Sequence, residues 1–182
     1  MYPYPMRLAA ALFLALTPTL LAAQNAPMAA DHAKAPVPLS KSLNVTFQGR
    51  LTTLKVEDLL ALPQVTVHVH NAHRNTDETY SGPLLSDVLA KAGLTASKET
   101  EPLILHSAII ATATDHYFVL YSAAEAEPMF STSQVIVAVM KSGLPDTEGG
   151  LIQLINTDAA RPARWVHGLS DINIMTVSPD AH

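Results

Sequence analysis

Val65-Thr66-Val67-His68-Val69-His70, then a polar stretch from Asn71 to Ser81, then Gly82-Pro83-Leu84-Leu85-Ser86-Asp87-Val88-Leu89: these residues decide the fold. In the first run the valines alternate with Thr66, His68 and His70, the period of a strand with one face in the core and the other carrying imidazoles. In the last run Leu84, Leu85, Val88 and Leu89 form the buried stripe of a helix, with Ser81 or Gly82 as its cap, Pro83 in its first turn and Gly93 at its stop. The unit reads as strand, polar loop, helix.

Upstream, Leu43 to Phe47 alternates apolar and polar, and Gln48-Gly49-Arg50 turns it into Leu51 to Leu54, an opening hairpin. Val56, Leu59 and Leu60 share one face of a short helix that Pro63 ends, because proline cannot donate to the helical ladder. Downstream, Leu103 to Ala111 and Tyr117 to Tyr121 read as strands, and Ser122-Ala123-Ala124-Glu125 has the spacing of a capping box. Gln134 to Met140 and Leu151 to Ile155 are apolar, β-rich runs separated by a loop with four Gly or Pro residues, and Ile172, Ile174 and Thr176 lie on one face of a last strand. Strands dominate without regular alternation with helices. That order predicts an α+β fold with a mixed, largely antiparallel sheet and a few short helices.

The first 23 residues, with Arg7, the apolar run Leu8 to Leu16 and small residues at Ala22 and Ala23, read as a signal peptide, which predicts export, to the periplasm. The apolar run is shorter than the ~20 residues that span a bilayer, so no membrane span is expected after cleavage. Residues 24–42, rich in Ala and Pro, read as a flexible linker, and 43–178 as one domain with a single core. The chain of 182 residues contains no cysteine, which excludes disulfides, thiolate metal sites and cysteine nucleophiles. A net charge of −5 without basic clusters argues against nucleic acid. No phosphate loop, Walker motif or nucleophile elbow is present.

A second stretch, Arg161-Pro162-Ala163-Arg164-Trp165-Val166-His167-Gly168, completes a pattern. Together with the Gly82 to Leu89 run it resembles the oxidoreductase molybdopterin-binding domain of the sulfite-oxidase-like fold, in which a strand runs into a loop bearing the molybdenum-ligating cysteine, then into such a helix, and a basic segment with a tryptophan precedes the last strand. The resemblance implies a molybdopterin-type cofactor held near Arg161, Arg164, Trp165 and His167, with Asn71 and its neighbours Ala72 and His73 where the cysteine would approach the metal. Without that thiolate the chain is not expected to be a standard molybdoenzyme, because amide and imidazole replace a soft anionic sulfur poorly.

Other readings of the same residues stand beside it. Arg161 and Arg164 would equally serve carbonyls or carboxylates such as Asp158 and Asp171, with Trp165 as a core plug whose indole N–H is satisfied. His68, His70 and His73 lie within six residues. On a strand, i and i+2 share a face with α-carbons ~6.5–7 Å apart, close enough for imidazoles to converge on a divalent ion such as zinc or copper. The function is thus either that of a divergent oxidoreductase-family protein or that of a non-redox binding module for a divalent metal, a small-molecule or anionic ligand, or a protein partner.

Overall fold

Alternation in strands and punctuation by glycine and proline account for most elements of the computed structural model, which describes residues 37–178. The leader expected over 1–23, and residues 24–36 of the linker, lie outside this range. The described end of the linker, 37–41, lies against the domain: Ser40 is buried, donates its hydroxyl to Leu169 O at 2.6 Å and its N–H to Gly150 O at 2.8 Å.

β1 (Ser42–Phe47) and β2 (Arg50–Lys55) form the opening hairpin, turning through Gln48 and Gly49 at φ 48° and 76°. They join β11 (Leu169–Thr176), β5 (Ser107–Ala113) and β6 (Phe118–Ser122) in a five-stranded sheet of order β2-β1-β11-β5-β6. β1 and β11 are parallel and the other pairs antiparallel. A second sheet orders β10 (Val166–His167), β9 (Gln153–Asn156) and β7 (Val135–Ala138); a third orders β3 (Val65–Asn71), β4 (Thr76–Gly82) and β8 (Met140–Lys141). The fold is α+β with mixed, largely antiparallel sheets and short helices, as its sequence pattern predicts. Among the described residues no helix is long and apolar enough to cross a membrane.

The middle sheet is buried on both faces, which is why β7 and β9 read as continuous apolar runs. Val135, Val137 and Leu154 face the larger core with Leu43, Val45, Ile109 and Ile172. The intervening Ile136, Ala138 and Ile155 face a second core with Val67, Val69, Tyr80 and Trp165. Helices α1 (Val56–Leu60), α2 (Leu85–Lys91), α3 (Glu101–Leu105) and α4 (Ala123–Ala126) contribute Leu59, Leu85, Val88, Leu89, Ile104 and Ala123 to the larger core.

Four local expectations need correction. The stretch Asn71 to Ser81 is not a loop: Thr76 to Gly82 forms β4, paired with the whole of β3, because Glu78, Tyr80 and Gly82 point inward at strand period and the polar ones find partners there. Gly82 therefore belongs to a strand, and α2 starts at Leu85 after Leu84 with no side-chain cap. The strand expected over 103–111 is divided, since Glu101 to Leu105 is a helical turn started by Pro102 and the strand begins at Ser107. At α4 only half of the capping box forms: Ser122 Oγ accepts from Ala124 N at 3.3 Å, while Glu125 turns to Arg164.

Candidate functional site

Strand alternation puts Thr66, His68 and His70 on the exposed face of the β3–β4 hairpin, and the register sets each opposite a polar residue of β4. Thr66 Oγ1 meets Ser81 Oγ at 2.9 Å, His68 Nδ1 meets Thr79 Oγ1 at 2.9 Å, and His70 Nδ1 meets Asp77 Oδ1 at 2.8 Å. A carboxylate only accepts, so the last contact fixes the proton of His70 on Nδ1 and leaves Nε2 as a lone-pair donor. His73 lies in the turn after β3, where alternation has ended. Among the described residues no three His, Cys, Asp or Glu side chains are placed to hold one ion; His68 and His70 share the exposed strand face, and His73 stands off it in the turn.

The inner face of the same hairpin carries a buried polar cluster. Glu78 Oε2 accepts from Asn71 Nδ2 and Tyr80 Oη, each at 3.0 Å, and Oε1 accepts from Lys141 Nζ at 2.8 Å. Burial pushes the Glu78 carboxyl up, but these hydrogen bonds, with Lys141 foremost, outweigh it and hold the group below the usual carboxylate range. Burial, then the neighbouring Glu78 charge, pushes the Tyr80 phenol up, so it stays a donor. Asn71 holds the turn closed: besides its bond to Glu78, its Oδ1 accepts from the backbone of His73 at 3.1 Å and of Arg74 at 3.2 Å.

A depressed carboxyl stabilises the fold above its unfolded pKa, and that contribution is lost as pH falls through the folded value. Glu78→Gln is therefore expected to be less stable than wild type at pH 7, with the two melting curves converging on acidification below ~4.3, the unperturbed glutamate value. Melting temperatures from pH 7 to pH 3 check this; a constant offset across the range would mean that the ion pair contributes nothing through its charge.

Most of the basic segment is also bonded within the domain, Arg161 excepted. Arg161 is exposed at the start of a single 3-10 turn, Pro162–Arg164. Arg164 pairs with Glu125 at 2.8 Å and its guanidinium lies 4.6 Å from the Tyr121 ring centroid, the arrangement of a cation–π contact. The Tyr117 and Tyr121 hydroxyls donate to the carbonyls of Ala163 and Arg164, and burial pushes the Tyr121 phenol up to about 12. Trp165 is a core plug, its indole N–H donating to Asn156 O at 3.0 Å and its ring meeting Tyr80 edge to face. His167 Nδ1 donates to Gln153 Oε1 at 2.6 Å, and the fully buried Gln153 in turn donates to Asp146 Oδ2 at 3.0 Å. The carboxylate partner of Arg164 is thus Glu125, not Asp158 or Asp171; Asp171 accepts from Asn44 instead.

A pterin-held molybdenum needs a soft anionic ligand and free guanidinium or amide donors. The chain has no thiolate, and Arg164, Trp165 and His167 are bonded inside the domain; the exposed Arg161 and the second amide N–H of Asn71 cannot replace the sulfur, because neither is a soft anionic ligand. These residues do not fit the group. Sequence reading missed Glu78, Lys141 and Gln153. The first was hidden in a stretch read as loop, though Glu78 and Tyr80 already stand at strand spacing; the last sits inside an apolar run.

No protein-family model matches the chain, and no curated protein matches it. Among solved structures it is similar to the sulfane dehydrogenase SoxCD from Paracoccus pantotrophus, with a TM-score of 0.59 and 16% sequence identity. The likeness is one of fold. It covers 79% of this chain and 41% of the SoxCD chain, so this chain spans well under half of that neighbour. The expected fold is thereby supported at a distance, and a shared fold does not carry an activity with it.

Proposed function

We propose that this chain is a non-redox binding module, exported to the periplasm, that uses a molybdopterin-domain-like fold to hold a divalent transition-metal ion, zinc or copper, at His68 and His70. One observation carries the reading: the imidazoles alone among the site residues combine exposure with oriented ring nitrogens. Asp77 on His70 Nδ1 is the carboxylate–histidine arrangement that fixes ring orientation and raises ligand basicity at metal sites, and the Thr79 hydroxyl holds the His68 ring in place through its Nδ1. Two nitrogens from one strand face leave the remaining coordination positions to water or to a partner's side chain.

Elemental analysis of the protein exported from a molybdopterin-producing host is expected to find no stoichiometric molybdenum. Calorimetric titration is expected to give a zinc or copper isotherm that disappears in His68→Ala/His70→Ala and weakens ~10–100-fold in Asp77→Asn, the usual cost of removing such a supporting partner. Binding should also weaken on acidification, because protonated imidazole cannot ligate. Identical isotherms for wild type and the double variant would end the metal reading; stoichiometric molybdenum would end the non-redox one.

A further inference from the structure

The five-stranded sheet has one face in the core and one in water, and the watery face is apolar at the β6 end. Phe118 and Leu120 point outward from β6, opposite Thr112 and Ile110 of β5, and Ala108 and Met175 continue the patch on β5 and β11. Phe118 is 59% exposed, Leu120 57%, Met175 49%, Leu105 48% and Val177 61%. At such fractions these five side chains leave on the order of 500 Å² of apolar surface in water, near the top of the ~300–600 Å² found for the largest patch on a monomer. One side of a standard interface buries ~800 Å², somewhat over half of it apolar, which is about this area.

We infer that this face joins two copies of the chain, the β6 strands stacked antiparallel across a two-fold axis at Leu120. The surface is self-complementary about that residue. Phe118 projects at one end of β6, and at the other end, four residues or ~14 Å away, lies a groove of about 640 Å³ whose lining includes Leu105, His106, Ala108, Leu120, Ser122 and Val177. An axis at Leu120 sets the Phe118 of each copy over the groove of the other and the two Leu120 side chains against each other, the isologous geometry of a closed dimer. The five apolar side chains carry no charge and so meet their like without repulsion although the chain carries a net charge of −5; the exposed carboxylate of this face, Asp171, stands two strands from Phe118, beyond Thr112. Joining edge to edge is disfavoured, because Arg164 Nη2 reaches Leu120 O at 3.5 Å while holding Glu125, leaving a charge along the open side of β6. The sheets therefore meet face to face. The histidine pair lies on a different sheet, so this inference stands apart from the metal reading.

The absence of native cysteine makes the test direct. Light scattering of the full exported chain at tens of micromolar is expected to give twice the chain mass, and Phe118→Arg to return it to one with an unchanged circular dichroism spectrum. Under mild oxidation Leu120→Cys is expected to cross-link to itself, while Leu51→Cys, 61% exposed at the far edge of the sheet, is not. A wild-type monomer, a dimer that survives Phe118→Arg, or equal cross-linking at 51 and 120 would each overturn the inference. Should Phe118→Arg fail to fold, the comparison of the two cysteine variants decides.

Discussion

Trp165→Ala is expected to lower the melting temperature by roughly 10–20 °C. Truncating a buried tryptophan costs ~3–5 kcal/mol through lost transfer energy and the cavity left behind. For a domain of this size 1 kcal/mol moves the midpoint by about 4 °C. The cavity here cannot collapse easily. Trp165 is 2% exposed and fills the second core between Val67 and Val69 of the hairpin and Ile136 and Ile155 of the middle sheet, with Tyr80 meeting its ring at 6.0 Å and 72°. Trp165→Phe should keep much of the packing and still cost ~1–3 kcal/mol, because Asn156 O loses its indole donor in a place water does not reach. Thermal or urea unfolding of the two variants checks both figures. A loss below ~1 kcal/mol for the alanine variant would show that the second core adds little to stability.

Gly82→Ala is expected to be as damaging, by a different route. An added Cβ would lie 2.0 Å from Val137 O, 2.7 Å from Val137 C and 2.8 Å from Ala138 Cα. All three are backbone atoms, so no side chain can rotate away. Relief requires β4 to leave β7, which breaks the bonds from Val139 N to Ser81 O at 3.0 Å and from Val137 N to Pro83 O at 2.9 Å. A cost of about 3 kcal/mol or more follows, the upper range for overpacking. Gly49→Ala is the control. Its added Cβ meets nothing within 4 Å, and its φ of 76° costs only the ~1–2 kcal/mol of a left-handed residue. Soluble yield and melting temperature should fall far more for position 82 than for position 49; the reverse order would overturn the steric argument.

These two positions also mark how far the sequence could be read. The hairpin β1–β2, the valine face of β3, the stripe of α2 and the isoleucine face of β11 all follow from periodicity, and so does the α+β class. Trp165 was legible as a core plug because a lone tryptophan beside an apolar strand has few other places to go. Gly82 was misread as a helix cap because the Gly-Pro pair looks like punctuation, whereas the glycine is required by a close backbone approach from β7, more than fifty residues later in the chain. Pairings of that separation leave no local trace. The polar partners were hidden for a related reason: Glu78, Lys141 and Gln153 become intelligible only once the folded chain supplies the groups that satisfy them. Of the candidate site, the histidine pair was visible in its spacing. The committed state of Asn71 and Arg164 was not.

Asn71 ties the end of the β3–β4 hairpin to its buried interior, and that bears on whether the position could hold a thiol. A cysteine at 71 would offer neither the amide that donates to Glu78 nor the oxygen that receives the His73 and Arg74 backbone, so the hairpin end would loosen as the sulfur arrived. The sulfur would also stand beside a buried carboxylate, and neighbouring like charge raises a thiol pKa, keeping it protonated and unreactive. The carboxylate at 78 thus both anchors Asn71 and disfavours a thiolate in its place. One partner in the bonds that close this turn, Glu78, is therefore the same group that would hold a sulfur there in its protonated form.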